Sequence, residues 1–261
     1  MYYETAGLQD ADAPTVLMSA GLGGSGAFWA PQLAALGDSF RIILYDHAGT
    51  GRSRGTLPGD YGMGHMAEDA IALLDRLAIG RCHFIGHALG GMIGLELALA
   101  HPERIDRLVV INSWLTLDPH TRRCFDIRRQ ILRDSGVEAY VRAQPLFLYP
   151  ADWLSRHDAL LKLEEALQIQ HFQGSQNLLR RLRALMDTDF SQRLAPLSAP
   201  VLVMSCRDDM LVPWQCSRAL ANALPAAELL EMSYGGHAMS VSNSAQFNPL
   251  LKAYLQRLPA A

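Results

Sequence analysis

The sequence predicts an α/β fold, in which helices cover both faces of a mostly parallel central sheet. Short apolar runs alternate with segments of helical periodicity along the first half of the chain. These runs are nearly continuous, which is typical of parallel strands that are buried on both faces. A long stretch without such runs separates the fourth run from the fifth, and this favours a helical insertion.

The individual elements follow from these patterns. Residues 66–77 form one example of a helix between strands, because Met66, Ala70, Leu73 and Leu77 fall on one helical face. We predict six strands in chain order, at residues 15–19, 41–45, 82–85, 108–112, 201–205 and 228–232.

The insertion is rich in arginine and in helix-forming residues. Turn breakers within it stand at Gly136, Pro145, Pro150 and Gly174. We therefore predict an α/β core at residues 1–116 and 195–261, and a helical cap at residues 117–194. Open α/β sheets bind ligands beyond the C-terminal ends of their strands, and we expect the cap to lie over those ends.

Composition and charge exclude several classes of function. The chain has 261 residues and a net charge of −3, which gives no reason to expect nucleic acid or a membrane surface as a partner. Its four cysteines show no metal-ligand spacing, so we expect no metal, no cofactor and a reducing environment. The first residues do not resemble a signal peptide, and no apolar run approaches the length of a membrane span. We expect a cytoplasmic protein that acts on a small molecule.

Residues 86–90 read Gly-His-Ala-Leu-Gly, between a predicted strand and a helix-like segment that ends before Pro102. This is the context of the nucleophile elbow, Gly-x-Ser-x-Gly, which holds a serine hydroxyl on a tight turn at the top of a sheet. Here Ala88 occupies the place of the nucleophile and supplies no oxygen. A site built on this elbow would have to work without a covalent acyl-enzyme.

Two further residues follow the elbow in the order expected of an orienting acid and a base. Asp209 comes just after the fifth predicted strand and four residues before Pro213, whereas Asp208 is out of that register. His237 follows Gly235 and Gly236, beyond the last predicted strand. Adjacent aspartates can also belong to a solvated loop, and a lone histidine is more often structural. Their combined order and placement favour catalysis.

The backbone amides of Leu22 and Leu89 are the candidates for an oxyanion hole, which needs two preorganised N–H donors. Leu89 follows the centre of the elbow, and Leu22 lies in the glycine-rich segment 21–26 after the first predicted strand. That segment could also be an ordinary turn or a phosphate cradle, although it lacks the dinucleotide-binding spacing. Other polar residues near these positions are interpreted as hydrogen-bonding or packing residues, namely Ser25, His47, His87 and Ser113.

Together, these motifs resemble the α/β-hydrolase superfamily across essentially the whole chain. Cap segments 121–125, 143–153, 171–174 and 177–182, with residues 234–238 of the core, are similar to the RutD family, hydrolases of a pathway that degrades uracil and related pyrimidines. Members of that family also carry alanine at the elbow, which implies that Ala88 is native. One departure is Ala48, where related sequences place an arginine.

The resemblance implies a small, labile nitrogenous substrate: either carbamate, or 3-aminoacrylate hydrolysed to malonic semialdehyde and ammonia. We expect Asp209 to orient His237, which would activate water or protonate the departing nitrogen, while the amides of Leu22 and Leu89 stabilise charge on oxygen. The cap arginines either attract the acid group or form a solvated helix face, namely Arg122, Arg123, Arg180 and Arg181.

Three alternatives stay open at this point. The protein could be a non-catalytic ligand-binding protein on a hydrolase scaffold, or a serine esterase whose nucleophile has been replaced by Ala88. It could also have an accessory role, removing a product that mostly decays unaided. The apolar cap residues Phe147, Tyr149 and Trp153 could pack internally or form the interface of a homodimer.

Overall fold

A seven-stranded sheet forms the centre of the computed structural model, which describes residues 1–257. Only the first strand runs antiparallel to its neighbour. The strands lie in the order β1-β3-β2-β4-β5-β6-β7, and are β1 (Tyr3–Gly7), β2 (Thr15–Ser19), β3 (Arg41–Tyr45), β4 (Cys82–His87), β5 (Ile105–Ile111), β6 (Val201–Cys206) and β7 (Ala227–Met232).

All six predicted strands are present, with ends shifted by up to three residues. The additional strand, β1, was not predicted because it has no apolar run. It lies at the edge of the sheet, pairs on one side only, and leaves Glu4 and Thr5 exposed. The glycine-rich segment after β2 and the elbow after β4 lie at the same end of the sheet, because Ser19 pairs with Gly86 where these parallel strands end.

Helices cover both faces of the sheet. One apolar cluster joins the sheet to the helices at Met63–Arg76, Leu89–Ala100 and Trp214–Ala223, and a second joins the opposite face to those at Ala30–Leu36 and Ser244–Leu255. The helices are α1 (Ala30–Leu36), α2 (Met63–Arg76), α3 (Leu89–Ala100), α4 (Pro119–Leu148), α5 (Ala151–Gln170), α6 (Ser175–Asp187), α7 (Trp214–Ala223), α8 (Met239–Ser242) and α9 (Ser244–Leu255), with short 3₁₀ helices at Gly26–Trp29 and Pro102–Arg104.

The segment between β5 and β6 contains α4, α5 and α6. Helix α4 is interrupted at Gly136, whose φ of 82° is outside the helical region. Pro145, which the sequence pattern places at a turn, instead lies inside α4, where three helical residues follow it. Tyr149 and Trp153 stack on each other, with ring centroids 4.4 Å apart, so these two rings pack within the subunit. The division into core and cap domains stays a prediction.

None of the helices within residues 1–257 is both long enough and apolar enough to cross a membrane.

Candidate active site

Ala88 lies on a strained turn between β4 and α3. Its backbone has a φ of 50° and a ψ of −108°, a sparsely populated conformation that costs a non-glycine residue about 1–3 kcal/mol. The flanking glycines make the turn possible, because a side-chain carbon on Gly86 would overlap the backbone of Gly90, and one on Gly90 would overlap the carbonyl oxygen of Ser19. The structure therefore has the geometry of a nucleophile elbow that presents only a methyl group.

The side chains of Asp209 and His237 meet in the buried space beyond β6 and β7. Nδ1 of His237 lies 2.8 Å from Oδ2 of Asp209, and both side chains are almost completely buried. The other oxygen, Oδ1, accepts hydrogen bonds from the backbone N–H groups of Leu211 at 2.8 Å and Val212 at 2.9 Å. Each oxygen thus has a fixed role, and the carboxylate holds the imidazole with its Nδ1 protonated.

Asp208 positions the turn that carries His237. Its Oδ1 accepts from the N–H of Gly236 at 2.8 Å, and its Oδ2 accepts from the N–H of Gly235 at 3.2 Å. Both glycines have positive φ, 136° at Gly235 and 67° at Gly236, so the turn needs residues without a side chain here. Asp208 is exposed to solvent, and its carboxylate nevertheless supports the turn that carries His237.

Two side chains hold the backbone carbonyl of His237. Nδ2 of Asn112 donates to this oxygen at 2.7 Å, and Nε2 of His87 lies 2.8 Å from it. The rings of His87 and His237 are 4.6 Å apart at their centroids, which places His237 beside the residue that precedes Ala88. Burial lowers the pKa of His87 to about 3, so this imidazole is neutral and must donate through Nε2.

The two candidate oxyanion donors stand at chain turns. Leu89 is the first residue of α3, and the first N–H groups of a helix have no partner within it. Residues 21–24 form a β-turn, which is closed by a 2.9 Å hydrogen bond from the N–H of Gly24 to the carbonyl of Gly21. Leu22 lies inside this turn, and the closing bond does not use its N–H. The side chain of His87 reaches this turn, because a side-chain carbon on Gly21 would lie 3.0 Å from its Nδ1.

The other polar residues near the elbow take part in local hydrogen bonds. Ser113 donates to the carbonyl of Ala88 at 2.8 Å, and Ser25 accepts from the N–H of Ala27 at 3.3 Å. Nε2 of His47 lies 3.2 Å from the hydroxyl of Ser19, and burial lowers the pKa of His47 to about 3. These contacts agree with the structural roles that the sequence favours for these residues.

The segment between β5 and β6 contacts the site on both sides. The carbonyl of Leu148, at the end of α4, accepts from the N–H of Ala238 at 2.9 Å. Nε2 of Gln173, before α6, donates to the carbonyl of Leu22 at 3.4 Å. This layer therefore contacts both the histidine turn and the oxyanion turn.

The four arginines that the sequence singles out have different surroundings. Arg122 and Arg123 are exposed on α4, and Arg180 donates to the carbonyl of Leu57. Arg181 is completely buried. A solvated helix face, one of the two interpretations of this group, is therefore wrong for Arg181.

The structure brings the five predicted site residues into one connected set, through His87 and the turn at residues 21–24: Leu22, Ala88, Leu89, Asp209 and His237. Sequence reasoning missed the positioning contacts of Asp208 and Asn112. The sequence did hold a signal for Asp208. An acid at the end of one strand can accept hydrogen bonds from the N–H groups of a glycine turn that follows the neighbouring strand.

The chain matches a family model described as "alpha/beta hydrolase fold" over residues 14–140, and one described as "TAP-like protein" over residues 186–260. Among solved structures it is similar to the enol-lactonase from Burkholderia xenovorans LB400, with a TM-score of 0.89 and 26% identity, over 98% of this chain and 96% of that one. A hydrolase from Pseudomonas aeruginosa PA01 has a TM-score of 0.87 and 27% identity, over 98% and 94% of the two chains.

Curated relatives share much more sequence. A protein of Yersinia enterocolitica named "Putative carbamate hydrolase RutD" is 59% identical over 98% of this chain and 92% of its own. Proteins of the same name from Serratia proteamaculans and Pseudomonas syringae are 57% and 51% identical, and cover 98% and 99% of this chain and 96% and 100% of their own. The chain belongs to the RutD family of α/β-hydrolases.

Proposed function

We propose that this protein hydrolyses a small, labile nitrogenous acid of pyrimidine breakdown and releases ammonia without a covalent enzyme intermediate. The two candidate substrates are carbamate, which gives ammonia and carbon dioxide, and 3-aminoacrylate, which gives malonic semialdehyde and ammonia. The names of the RutD relatives support carbamate, and the sequence resemblance leaves both substrates open.

One observation carries the proposal: an intact histidine–carboxylate pair stands beside an elbow that bears only a methyl group. The pair is buried and joined at 2.8 Å, while Ala88 keeps its strained turn although it has no nucleophile to present. A protein that only binds a ligand gains nothing from orienting an imidazole in this way. The arrangement favours proton transfer without nucleophilic attack by the protein.

The reaction of 3-aminoacrylate starts from its imine tautomer. His237 takes a proton from water through Nε2, and the hydroxide oxygen forms a bond to the imine carbon. The protonated imidazole returns the proton to nitrogen, which gives a carbinolamine. His237 then takes the proton of the carbinolamine hydroxyl and passes it to nitrogen, so that the carbon–nitrogen bond breaks with its electron pair going to ammonia and the oxygen forms the carbonyl of the aldehyde. Asp209 stabilises the protonated imidazole during each transfer.

The reaction of carbamate needs fewer steps. A proton delivered to its nitrogen makes ammonia the leaving group, and the electrons of the carboxylate close to form carbon dioxide. In the reaction of 3-aminoacrylate the amides of Leu22 and Leu89 stabilise the negative charge that develops on the hydroxyl oxygen as its proton leaves, and in that of carbamate they hold a carboxylate oxygen in place.

The lability of these substrates matches the catalytic groups that remain. A triad enzyme without its nucleophile keeps roughly 10³–10⁴-fold acceleration from its oxyanion hole and binding. A positioned acid–base group contributes about 10²–10⁴-fold. Factors of this size are small for a stable amide, but they are sufficient for a compound that already decomposes in water.

A time course of ammonia release from freshly generated carbamate and 3-aminoacrylate tests the proposal. We expect the protein to accelerate release from one of them above a protein-free control. Tight binding of the acid with release at the spontaneous rate for both compounds would instead identify a ligand-binding protein on a hydrolase scaffold.

A further inference from the structure

Arg181 is a buried cation that has no hydrogen-bond partner among residues 1–257. Its side chain is completely inaccessible to solvent, and within residues 1–257 no hydrogen-bond acceptor lies in reach of Nε, Nη1 or Nη2. Burial lowers the pKa of Arg181 only to about 10, so the guanidinium is charged at neutral pH. An unpaired buried charge costs several kcal/mol, about as much as breaking a buried ion pair.

A second buried arginine between β5 and β6 shows the usual solution. Arg128 donates to Oε1 of Gln144 and, at 3.4 Å, to the hydroxyl of Tyr140. Its guanidinium also lies 5.4 Å from the ring centre of Phe125 and 5.7 Å from that of Phe147. Nε of Arg128 also lacks a partner, so the contrast lies in the two terminal nitrogens of Arg181, which are both free within residues 1–257.

The guanidinium of Arg181 lies against the turn that carries Leu22. A side-chain carbon on Gly24 would lie 2.7 Å from Nη1 of Arg181 and 2.9 Å from the hydroxyl of Thr50. Gly24 has a φ of 71°, which a glycine adopts easily. The loop therefore needs glycine at this position partly to let the guanidinium approach.

Other buried polar atoms on residues that touch this turn also have no partner within residues 1–257: Oγ1 of Thr50, Nδ1 of His47 and Oε1 of Gln173. Gln173 donates to the carbonyl of Leu22, and the N–H of His47 donates to the carbonyl of Gly24 at 2.8 Å. Residues around one short loop thus leave a hydroxyl, a ring nitrogen, an amide oxygen and a cation without partners. The cation and the hydroxyl can donate to an anion, whereas the amide oxygen can only accept.

Carboxylates of the protein nearby already have partners. Asp46 accepts from the N–H of Gly26 at 2.9 Å and from the side chain of Arg52 at 3.0 Å. Asp69 accepts from the hydroxyl of Tyr61 at 2.5 Å. Neither carboxylate makes an ion pair with Arg181.

The turn relates this arginine to the proposed catalytic pair. Gly21, at one end, contacts His87, whose ring centre is 4.6 Å from that of His237. Gly24, at the other end, contacts Arg181. The ends of a β-turn are less than about 7 Å apart, so one short turn connects the surroundings of Arg181 with those of the catalytic pair.

We propose that Arg181 binds the carboxylate of the substrate and so restricts this site to small anionic acids. This inference rests on the proposed function for the identity of the acid, since carbamate and 3-aminoacrylate both carry a carboxylate. Arg181 is here a specificity residue, and the proton transfers stay with His237. An arginine fork suits this role because it can donate two parallel hydrogen bonds to a carboxylate.

Stable analogues separate binding from turnover. Acetate and crotonate carry a methyl group in place of the amino group of carbamate and 3-aminoacrylate, and crotonamide is the neutral counterpart of crotonate. Calorimetry measures their dissociation constants for the parent protein, for Arg181→Gln and for Arg181→Lys. Arg123→Gln, which removes an exposed arginine of α4, is the matched control.

We expect Arg181→Gln to weaken the binding of the carboxylates by at least about tenfold, and by about a hundredfold where the contact is bidentate. Arg181→Lys keeps part of the affinity, because it keeps the charge without the fork, and it gives the answer if the glutamine variant fails to fold. Crotonamide binding and the Arg123→Gln variant stay within about twofold of the parent, below what one charged hydrogen bond contributes.

Carboxylate binding that is equal in the parent and both Arg181 variants would overturn the inference. So would equal weakening of crotonate and crotonamide, or a parent protein that binds neither acetate nor crotonate. If Arg181-dependent binding is found but neither substrate is turned over, the proposed function fails and the anion site stands. If turnover persists in Arg181→Gln with an unchanged KM, the anion site fails and the proposed function stands.

Discussion

Asp209→Asn changes one atom of the catalytic pair, and the structure predicts its consequence. Oδ1 of Asp209 accepts from two backbone N–H groups, those of Leu211 and Val212. In the asparagine variant only the amide oxygen can accept these bonds, so the NH₂ group must point at His237. In the opposite orientation the NH₂ group would face the backbone N–H groups of Leu211 and Val212, and these donors would have no acceptor. Each unsatisfied buried group costs about 1–3 kcal/mol.

An NH₂ group at this place changes the tautomer of the neutral imidazole. Nδ1 of His237 must then accept a hydrogen bond, and the proton of the neutral ring moves to Nε2. A protonated Nε2 cannot take a proton from water, and no carboxylate remains to stabilise the imidazolium. We expect kcat for ammonia release to fall by about 10²–10⁴-fold, the contribution of a positioned acid–base group.

The assay is ammonia release from fresh substrate, corrected for the protein-free rate, with circular dichroism to confirm that the variant folds. Asp208→Asn is the matched control, because Asp208 supports the turn at Gly235 and Gly236 without touching the imidazole. We expect that control to lose about tenfold at most, the equivalent of one ordinary hydrogen bond. An Asp209→Asn variant within threefold of the parent rate would refute the reasoning on the tautomer.

Ala88→Ser should create an esterase: activated esters should then give a stoichiometric burst that a serine-directed inhibitor removes, because the elbow already has the required backbone geometry. The absence of a burst would show that His237 is not placed to activate an oxygen there. A second prediction concerns acid stability. His47 and His87, with pKa values lowered by burial to about 3, stay neutral in the folded protein, whereas the unfolded chain protonates them near pH 6.5. Stability present above pH 6.5 is therefore lost as the pH falls toward 3, by roughly 2 kcal/mol for each histidine between pH 7 and pH 5. Urea unfolding of the parent and of His47→Gln checks this, and equal pH slopes in the two proteins would contradict it.

The sequence was sufficient for most of the sheet because parallel strands are apolar on both faces. The edge strand β1 lacks that pattern, since Glu4 and Thr5 face solvent. Ala88, Asp209 and His237 could be found from chain order, because each follows its own strand in a fixed sequence of turns.

Contacts that depend on loop conformation could not be predicted in the same way. The bonds from Asp208 to the glycine turn need the positions of two separate loops. Arg181 did leave a signal, because it lies three residues after Leu178 and four before Leu185, on the buried face of α6. Because this helix is rich in arginine, the charge of Arg181 favoured its interpretation as part of a solvated helix face, although its position in the helix indicated burial.

His237→Ala tests the central claim most directly, that an imidazole oriented by its carboxylate performs the reaction without a nucleophile from the protein. The measurement is the initial rate of ammonia release from fresh substrate by the parent, by the variant and without protein. We predict that the variant loses the contribution of the acid–base group, so that its rate above the protein-free solution falls by about 10²–10⁴-fold relative to the parent. A variant that matches the parent rate would contradict the account.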